Sequence, residues 1–424
     1  TSQLDFIGIN PLHALFTSQP SFASPYSPSS RIWLNPIYLN IPLIAQLLNL
    51  KLSVSWDNDA LEELRSSNLI NYTQVWKLKQ HALSDLFDEF EQHNQSEFES
   101  YLIKHGDQLI GFALFEALDN HFAAPTNMGW LTWDEAYQHP ESDAVKKFAE
   151  EHQHEIRFYA WLQWLCSEQW QYVQHIAEQH HIQLGIYGDL AVSVAKGGAD
   201  TWLNRAHYCM DLSIGAPPDA FNPNGQNWQL PPLHPLVLQQ TGGELFIQLI
   251  RENMKRFGVL RIDHVMALNR LWLIAKQSVT SGNQSSQGAY VRYPQEMLFA
   301  ILAVESQRNH CVVIGEDLGI VPQSTRELLN RYQISSYKVL YFTSKMQEIP
   351  AHAIAVTSTH DLAPLAGYWV GADLYSMHEL GIFTTDAEFQ TALLHRQQEV
   401  TQLFDILKQY HYLPDDLTQP DTLD

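Results

Sequence analysis

Phe257-Gly-Val-Leu-Arg-Ile-Asp-His264 is the stretch on which the fold turns. A short apolar run behind a glycine, Val259 and Leu260, ends in charge, as a buried parallel strand does where it opens into a loop. Side chains alternate along a strand, so Arg261 and Asp263 project to the same face. A fixed cation beside a carboxylate favours its ionised form. That suits a nucleophile or an electrostatic stabiliser; a buried Arg–Asp ion pair without chemistry is the plainer alternative.

Two later segments repeat the design. Cys311-Val-Val-Ile-Gly-Glu-Asp-Leu-Gly319 ends in Glu316 and Asp317, and Ala353-Ile-Ala-Val-Thr-Ser-Thr-His-Asp361 ends in His360 and Asp361. Upstream, Ile182-Gln-Leu-Gly-Ile-Tyr-Gly-Asp189 adds a fourth strand closing on a carboxylate. Any one of these could be a helix cap or a solvated turn. Apolar strands that each end in acid, with helical sequence between them, predict an α/β fold of the TIM (β/α)8 type with its carboxylates at the C-terminal rim.

Composition sets outer bounds. The length of 424 residues exceeds one ordinary core but fits a large barrel carrying an insertion. Lys and Arg number 25 against 47 Asp and Glu, and a net charge of −22 argues against nucleic-acid and anionic-membrane partners. Cys166, Cys209 and Cys311 form neither a disulfide framework nor a zinc spacing, which points to a reducing, cytoplasmic compartment. No His-Glu-x-x-His helix appears, and His180-His181 read as solvated helix-end residues. No run reaches transmembrane length. Abundant Trp, Tyr and Phe suit sugar rings as well as a core.

Taken in order, Phe6–Pro11 reads as a strand and Thr17–Arg31 as a Ser/Pro-rich loop. Within that loop Ser24-Pro-Tyr-Ser-Pro28 fixes Tyr26 between two prolines, a candidate ligand platform. Residues 41–153 are helical throughout, with amphipathic stretches at Tyr72–Gln92 and Glu97–His121, and form a helical insertion subdomain. The stripe Phe158, Leu162, Leu165, Tyr172 and Ile176 reads as core packing. Residues 215–232 carry five prolines, two glycines and no period, so they read as a loop; yet they include Phe221 and Trp228, costly to expose. Leu245–Phe257 and Pro322–Tyr332 read as helices and Tyr337–Phe342 as a strand. The expected layout is thus 1–40 (strand and substrate loop), 41–153 (insertion), 154–370 (barrel core with the lid 215–232) and 371–424 (C-terminal helices).

In this order, Ser24-Pro-Tyr, Gly188-Asp189, Gly215-Ala-Pro-Pro-Asp, Gly225-Gln-Asn-Trp, Arg261-Ile-Asp-His, Gly315-Glu-Asp-Leu-Gly, Tyr337-Lys-Val-Leu and Thr359-His-Asp resemble the 4-α-glucanotransferases called amylomaltases or disproportionating enzymes, of glycoside hydrolase family 77. The resemblance runs from about residue 5 to 370. It implies that Asp263 is the nucleophile, Glu316 the general acid/base and Asp361 the transition-state stabiliser. It also implies that Tyr26, Asp189, Arg261 and His360 line the donor site, and that Gln226 and Trp228 belong to a loop over the cleft. Two departures stand out. Gln229-Leu-Pro-Pro follows the loop tryptophan where many relatives have Gly-Asn-Pro, and Leu-Ala-Pro follows Asp361 where many have Asn-Asp-Thr. Phe6–Pro11 matches the family's second barrel strand, so a fragment lacking the barrel ends is expected, one that leaves strand edges open and neither stable nor active alone.

The chemistry can be read from the residues. Retaining transfer needs two carboxyl groups about 5–5.5 Å apart, one attacking the sugar and one protonating the leaving oxygen. Asp263 beside Arg261 suits the ionised nucleophile, and Glu316 behind an apolar strand suits the acid. Residues alone leave Glu316 and Asp317 open; the family resemblance favours Glu316. His360 and Asp361 would grip sugar hydroxyls. The expected substrates are maltooligosaccharides and other α-1,4-glucans, with no metal or organic cofactor. An α-glucan hydrolase of a related barrel family and a catalytically silent glucan-binding protein are the alternatives.

Overall fold

The run ahead of Arg261 is a buried strand in the computed structural model, which describes residues 4–424 apart from 53–57, 94, 124–126, 219–223, 276–286, 320, 343–348, 415, 419 and 421–424. The chain forms two units, Thr1–Val313 and Ile314–Asp424. The first opens with β1 (Ile7–Gly8), β2 (His13–Ala14) and β3 (Ser30–Leu34). Helices α1 (Ile41–Leu47), α2 (Asn58–Ser66), α3 (Tyr72–Phe90), α4 (Ser96–Phe122), α5 (Asp143–Glu151) and α6 (Gln153–Gln179) follow. Then come β4 (Ile186–Leu190), α7 (Ala199–Leu203), β5 (Leu212–Ala216), β6 (Gln226–Asn227), α8 (Pro235–Gln240) and α9 (Glu244–Met254). After these lie β7 (Val259–Ile262), β8 (Arg270–Ala275), β9 (Gly288–Arg292), α10 (Gln295–Asn309) and the start of β10 (Val312–Gly315).

Strands β1, β4 and β7 are parallel neighbours, with Ile7 opposite Ile186 and Asp189 opposite Arg261. Every residue of β4 and β7 is buried, as expected for a parallel sheet covered on both faces. Gly188 is required here because a Cβ would sit 2.4 Å from the Phe257 ring. Both outer strand readings shorten. Phe6–Pro11 retains only Ile7–Gly8 as strand, and Ile182–Gly185 is a turn closed by the Gly185 N–H on the Ile182 carbonyl (3.0 Å) before β4 begins.

The reading of 215–232 as loop throughout is corrected. Gly215 and Ala216 end β5, which pairs antiparallel with Gln226–Asn227, and β6-β5-β8-β9 form a separate sheet. Gly215 permits this pairing: a Cβ there would lie 2.0 Å from the Gln226 carbonyl oxygen. Residues 219–223, with Phe221, lie outside the described residues.

Side-chain caps start several of the helices. Asn40, Asn71 and Ser142 accept from the amides of Leu43, Gln74 and Val145. Aromatic burial then packs them: Phe90 and Phe98 meet Trp164 at ring distances of 5.4 and 5.7 Å, and Phe87 meets Trp161 at 5.2 Å. The α6 stripe is buried at Phe158, Leu162 and Leu165, but Tyr172 is exposed and Ile176 half-buried. The neighbour changes along the helix. Trp170 and Gln174 turn toward the Arg256 carbonyl, so the inward face is carried by 170, 174 and 177 instead.

The second unit continues from Ile314 through α11 (Gln323–Arg331), β11 (Ser335–Val339), β12 (Ala353–Val356), α12 (Leu365–Trp369), α13 (Ala372–Glu379) and α14 (Asp386–Gln409). Its strands are again parallel, Ile314 opposite Ser335 and Ser336 opposite Ala353. Leu340–Phe342, read as strand, is a 3-10 turn. A reciprocal Thr385–Glu388 cap starts α14. Parallel strands alternating with helices make this a mixed α/β fold.

Two buried polar contacts yield tests of stability. The Gln163 amide of α6 spans the edge of β3, accepting from the Leu34 N–H (2.9 Å) and donating to the Leu34 carbonyl (2.8 Å). Gln163→Leu should cost about 2–4 kcal/mol in chemical denaturation, because both backbone groups lose their buried partner; an unchanged midpoint would assign the strand edge another partner. Glu116 of α4 is buried, its Oε2 taking the Thr17 hydroxyl (2.6 Å). Burial pushes its carboxyl to about 8 and that of Asp119 to about 6. The folded chain therefore keeps a proton on Glu116 that the unfolded chain loses above about 4.5, so stability falls as pH rises from there toward 8. Glu116→Gln should flatten this by on the order of a few kcal/mol, seen as melting temperatures of parent and variant diverging with pH. Parallel curves would mean that Glu116 ionises normally in the fold.

Candidate active site

The strand register sets Arg261 beside two acids. Its Nη1 lies 2.7 Å from each Asp189 oxygen and 2.9 Å from Asp263 Oδ1. The same-face expectation for Arg261 and Asp263 is met, and the plainer ion pair exists too, with Asp189 as its partner. The side chains of Arg261 and Asp189 are only 6 % and 5 % exposed, whereas that of Asp263 is 20 % exposed. The Tyr26 hydroxyl donates to Asp189 Oδ2 (2.7 Å). Burial, reinforced by the Asp189 charge, raises the Tyr26 phenol above its ordinary range, so it remains a donor. Tyr26, Asp189, Arg261 and Asp263, which come from three separate stretches of sequence, are thus one cluster.

The loop bearing Tyr26 is fastened at both ends. At its start Thr17 and Ser18 donate to Glu116 and Asp119, and Asn120 donates to the Thr17 hydroxyl. At its end the Ser29 N–H meets the Ala14 carbonyl (2.8 Å), while the Arg31 guanidinium donates to the carbonyls of Ala191 and Val192 (2.9 Å each). His13 accepts the Ala191 N–H at Nε2, and burial lowers its affinity for a proton, which keeps that acceptor available. These contacts fix the chain just after Asp189 as well.

Gln226 and Trp228 are also brought together. The Trp228 indole donates to Gln226 Oε1 (2.8 Å), and its ring meets His264 edge-on at 5.2 Å. The Trp228 N–H and the Ile214 N–H bond the Ile214 and Leu230 carbonyls (2.9 and 2.8 Å). Gln229, where the resemblance expects glycine, adopts φ +60°. Its amide is met by Asn227 Oδ1 (2.9 Å), which helps to hold this left-handed turn. His264 also has positive φ, and burial pushes its imidazole down to about 4, so it faces Trp228 neutral. The sequence reading quoted His264 and gave it no task; its place directly after the strand-end acid was the available signal.

In the second unit Glu316 and Asp317 directly follow β10, both buried. Asp317 accepts the Tyr337 N–H (2.8 Å) and faces the Lys338 ammonium (3.3 Å), which ties β10 to β11. Glu316 Oε1 accepts the Leu318 N–H (2.7 Å). The two neighbours therefore differ in surroundings as they could not in sequence. His360 and Asp361 sit on the loop after β12, with His360 Nε2 3.2 Å from Asp361 Oδ2 and Asp361 largely exposed. Lys338 lies in the quoted Tyr337-Lys-Val-Leu and Ser358, which supports this loop, in the run ending in Asp361, but the sequence reading gave neither a task.

Residues 1–421 match a protein-family model described as 4-alpha-glucanotransferase. The chain is 41 % identical to the 4-alpha-glucanotransferase of Haemophilus influenzae, over 97 % of this chain and 61 % of that one. It is 31 % identical to that of Mycobacterium tuberculosis, over 94 % and 57 %. The chain thus spans about three fifths of the length of these curated relatives. The crystal structure of amylomaltase from Corynebacterium glutamicum superposes with a TM-score of 0.79 at 30 % identity, covering 99 % of this chain and 58 % of that one. An amylomaltase from Streptococcus agalactiae in complex with acarbose shares the fold at TM-score 0.72 and 19 % identity, over 88 % and 76 %. The TIM-barrel type of α/β fold follows from these likenesses, and the ordered motifs find their explanation: the chain belongs to the 4-alpha-glucanotransferase family.

Proposed function

We propose that this protein acts as a retaining 4-alpha-glucanotransferase, moving α-1,4-glucan segments between maltooligosaccharides. The observation that carries the reading is the Arg261 guanidinium shared between buried Asp189 and the more open Asp263. It orients Asp263 without covering it, and a cation at this distance favours the carboxylate form. In this mechanism an Asp263 oxygen bonds to the sugar C1 as the glycosidic bond breaks, and Glu316 gives its proton to the leaving oxygen. An acceptor glucan hydroxyl then attacks C1, its proton passing to Glu316, and Asp263 departs as carboxylate. Asp361, with His360, would grip sugar hydroxyls as the ring gains positive charge. Tyr26 and Asp189 would orient Arg261 and border the donor sugar. No metal or organic cofactor enters these steps.

Transfer rather than hydrolysis requires the acceptor to be held and water kept out. Gln226 and Trp228 would serve there. Trp228 borders a cavity of about 380 Å³ whose polar lining includes Ser27, Lys196, Asp211 and Asn227. One aromatic wall among hydroxyl, amide and charged groups suits a sugar. Among the described residues no helix is long and apolar enough to cross a membrane. The three free cysteines fit a cytoplasmic setting.

Incubation with maltotriose, products resolved by length, tests the reading: longer glucans support it, maltose and glucose with nothing longer favour a hydrolase, and no turnover favours a silent binder. Asp263→Asn should lower kcat by about a thousandfold or more while glucan binding and melting temperature stay near parental, because a lost covalent nucleophile raises the barrier by several kcal/mol. Activity within about tenfold of the parent would remove Asp263 from that role. Trp228→Ala should raise glucose release relative to chain lengthening. An unchanged ratio with a lowered melting temperature would leave Trp228 as packing only.

A further inference from the structure

The loop that carries Asp361 is closed on one carbonyl. Ala363 O, two residues past Asp361, accepts both the Ser358 hydroxyl (2.7 Å) and the Tyr341 hydroxyl (3.0 Å). A carbonyl oxygen offers two lone pairs, and both are engaged. Inside the ring so formed, the Asp361 N–H meets Thr359 Oγ1 (3.2 Å) and the Leu362 N–H the Thr359 carbonyl (3.2 Å). Ser358 belongs to the loop itself. Tyr341 does not, and is the fixed point against which the loop is set.

What fixes Tyr341 is a layered stack. Its ring lies parallel to that of Tyr368 in α12, with centroids 3.9 Å apart and planes inclined by 10°. On Tyr368 lies the Arg396 guanidinium of α14, its carbon 3.8 Å from the ring centroid. Arg396 is held flat by paired hydrogen bonds to Asp373 of α13 (2.7 and 2.8 Å) and by the Tyr368 carbonyl (2.9 Å). The Tyr368 hydroxyl is tied to Glu399, one turn along α14 (2.8 Å). A cation over one ring face and an aromatic on the other leave Tyr368 little freedom, and Tyr341 inherits that restriction.

We propose that Tyr341, backed by Tyr368 and Arg396, is a positioning residue for Asp361: it sets the loop that presents the carboxylate to the transition state. The proposal rests on the role given to Asp361 above. It assigns a task to helices α12–α14, of which the sequence reading had 371–424 only as C-terminal helices. The stack touches no substrate in this scheme and acts only through the loop.

The test compares Tyr341→Phe, Asp361→Asn and the double variant in maltotriose disproportionation, with melting temperatures. Tyr341→Phe keeps the stacked ring and removes only the hydroxyl. It should lower kcat by about tenfold, about 1.4 kcal/mol of barrier, with KM and melting temperature near parental, since Asp361's grip tightens only in the transition state. In the Asp361→Asn background the same change should have almost no further effect. Ser358→Ala, which removes the other donor to Ala363 O, should shift kcat in the same direction. If Tyr341→Phe folds poorly, Arg396→Met, which keeps α14's length of side chain but not its flat cation, should reproduce the kcat loss. Parental kcat in Tyr341→Phe while Asp361→Asn is impaired would overturn this proposal alone, as would equal factors in both backgrounds. Parental kcat in Asp361→Asn would overturn the Asp361 assignment itself and the proposal with it.

Discussion

One guanidinium between two acids is the constraint on which the first unit depends. Arg261 is almost fully buried, and breaking a buried charge pair by deleting one partner costs about 3–5 kcal/mol. Asp189 and Asp263 therefore serve stability before they serve chemistry. The arrangement exists only in one register, Asp189 opposite Arg261. A one-residue slip of either strand would put Asp189 and the guanidinium on opposite faces. That register rests in turn on a glycine at 188, whose missing side chain leaves room for Phe257.

The same logic explains what could be read from sequence. Strands β4, β7, β10 and β12 announced themselves because each is an apolar run ending in acid, a local signal. Arg261–Asp263 proximity followed from strand periodicity alone. The long helices α3 and α4 were legible from periodicity alone, as the amphipathic stretches Tyr72–Gln92 and Glu97–His121. The sheet β6-β5-β8-β9 was not legible, because its pairings depend on partners far apart along the chain: Gly215 meets Trp272 and Asn227 together. Prolines and glycines around β6 signal irregular backbone, and they outweighed two residues of strand. Tyr172 was misplaced for another reason: a helix's inward face follows whichever neighbour it meets, and periodicity cannot see that neighbour change. Asp189 was read as a rim acid lining the donor site; that its buried contacts also support Arg261 was not legible, because the two strands are far apart in sequence.

The helical section bears on the site through the start of the Tyr26 loop. Thr17, where the Tyr26 loop begins, rests on Glu116 and Asn120 of α4. Because burial raises the Glu116 carboxyl to about 8, it stays neutral near pH 7 and holds Thr17 without the penalty of a desolvated charge. The insertion is thus linked by hydrogen bonds to the segment that delivers the Tyr26 hydroxyl to Asp189.

The hairpin behind Trp228 has a consequence for how such a chain can diverge. Placement of residue 228 is carried by main-chain hydrogen bonds to Ile214, with Leu230 bonded from the same strand. Main-chain bonds are indifferent to side-chain identity. A lineage can therefore exchange the residue at 228, or its neighbour at 229, and alter what the loop recognises while the loop stays where it is. Position is inherited through the backbone and preference through the side chain, so the two can evolve at separate rates.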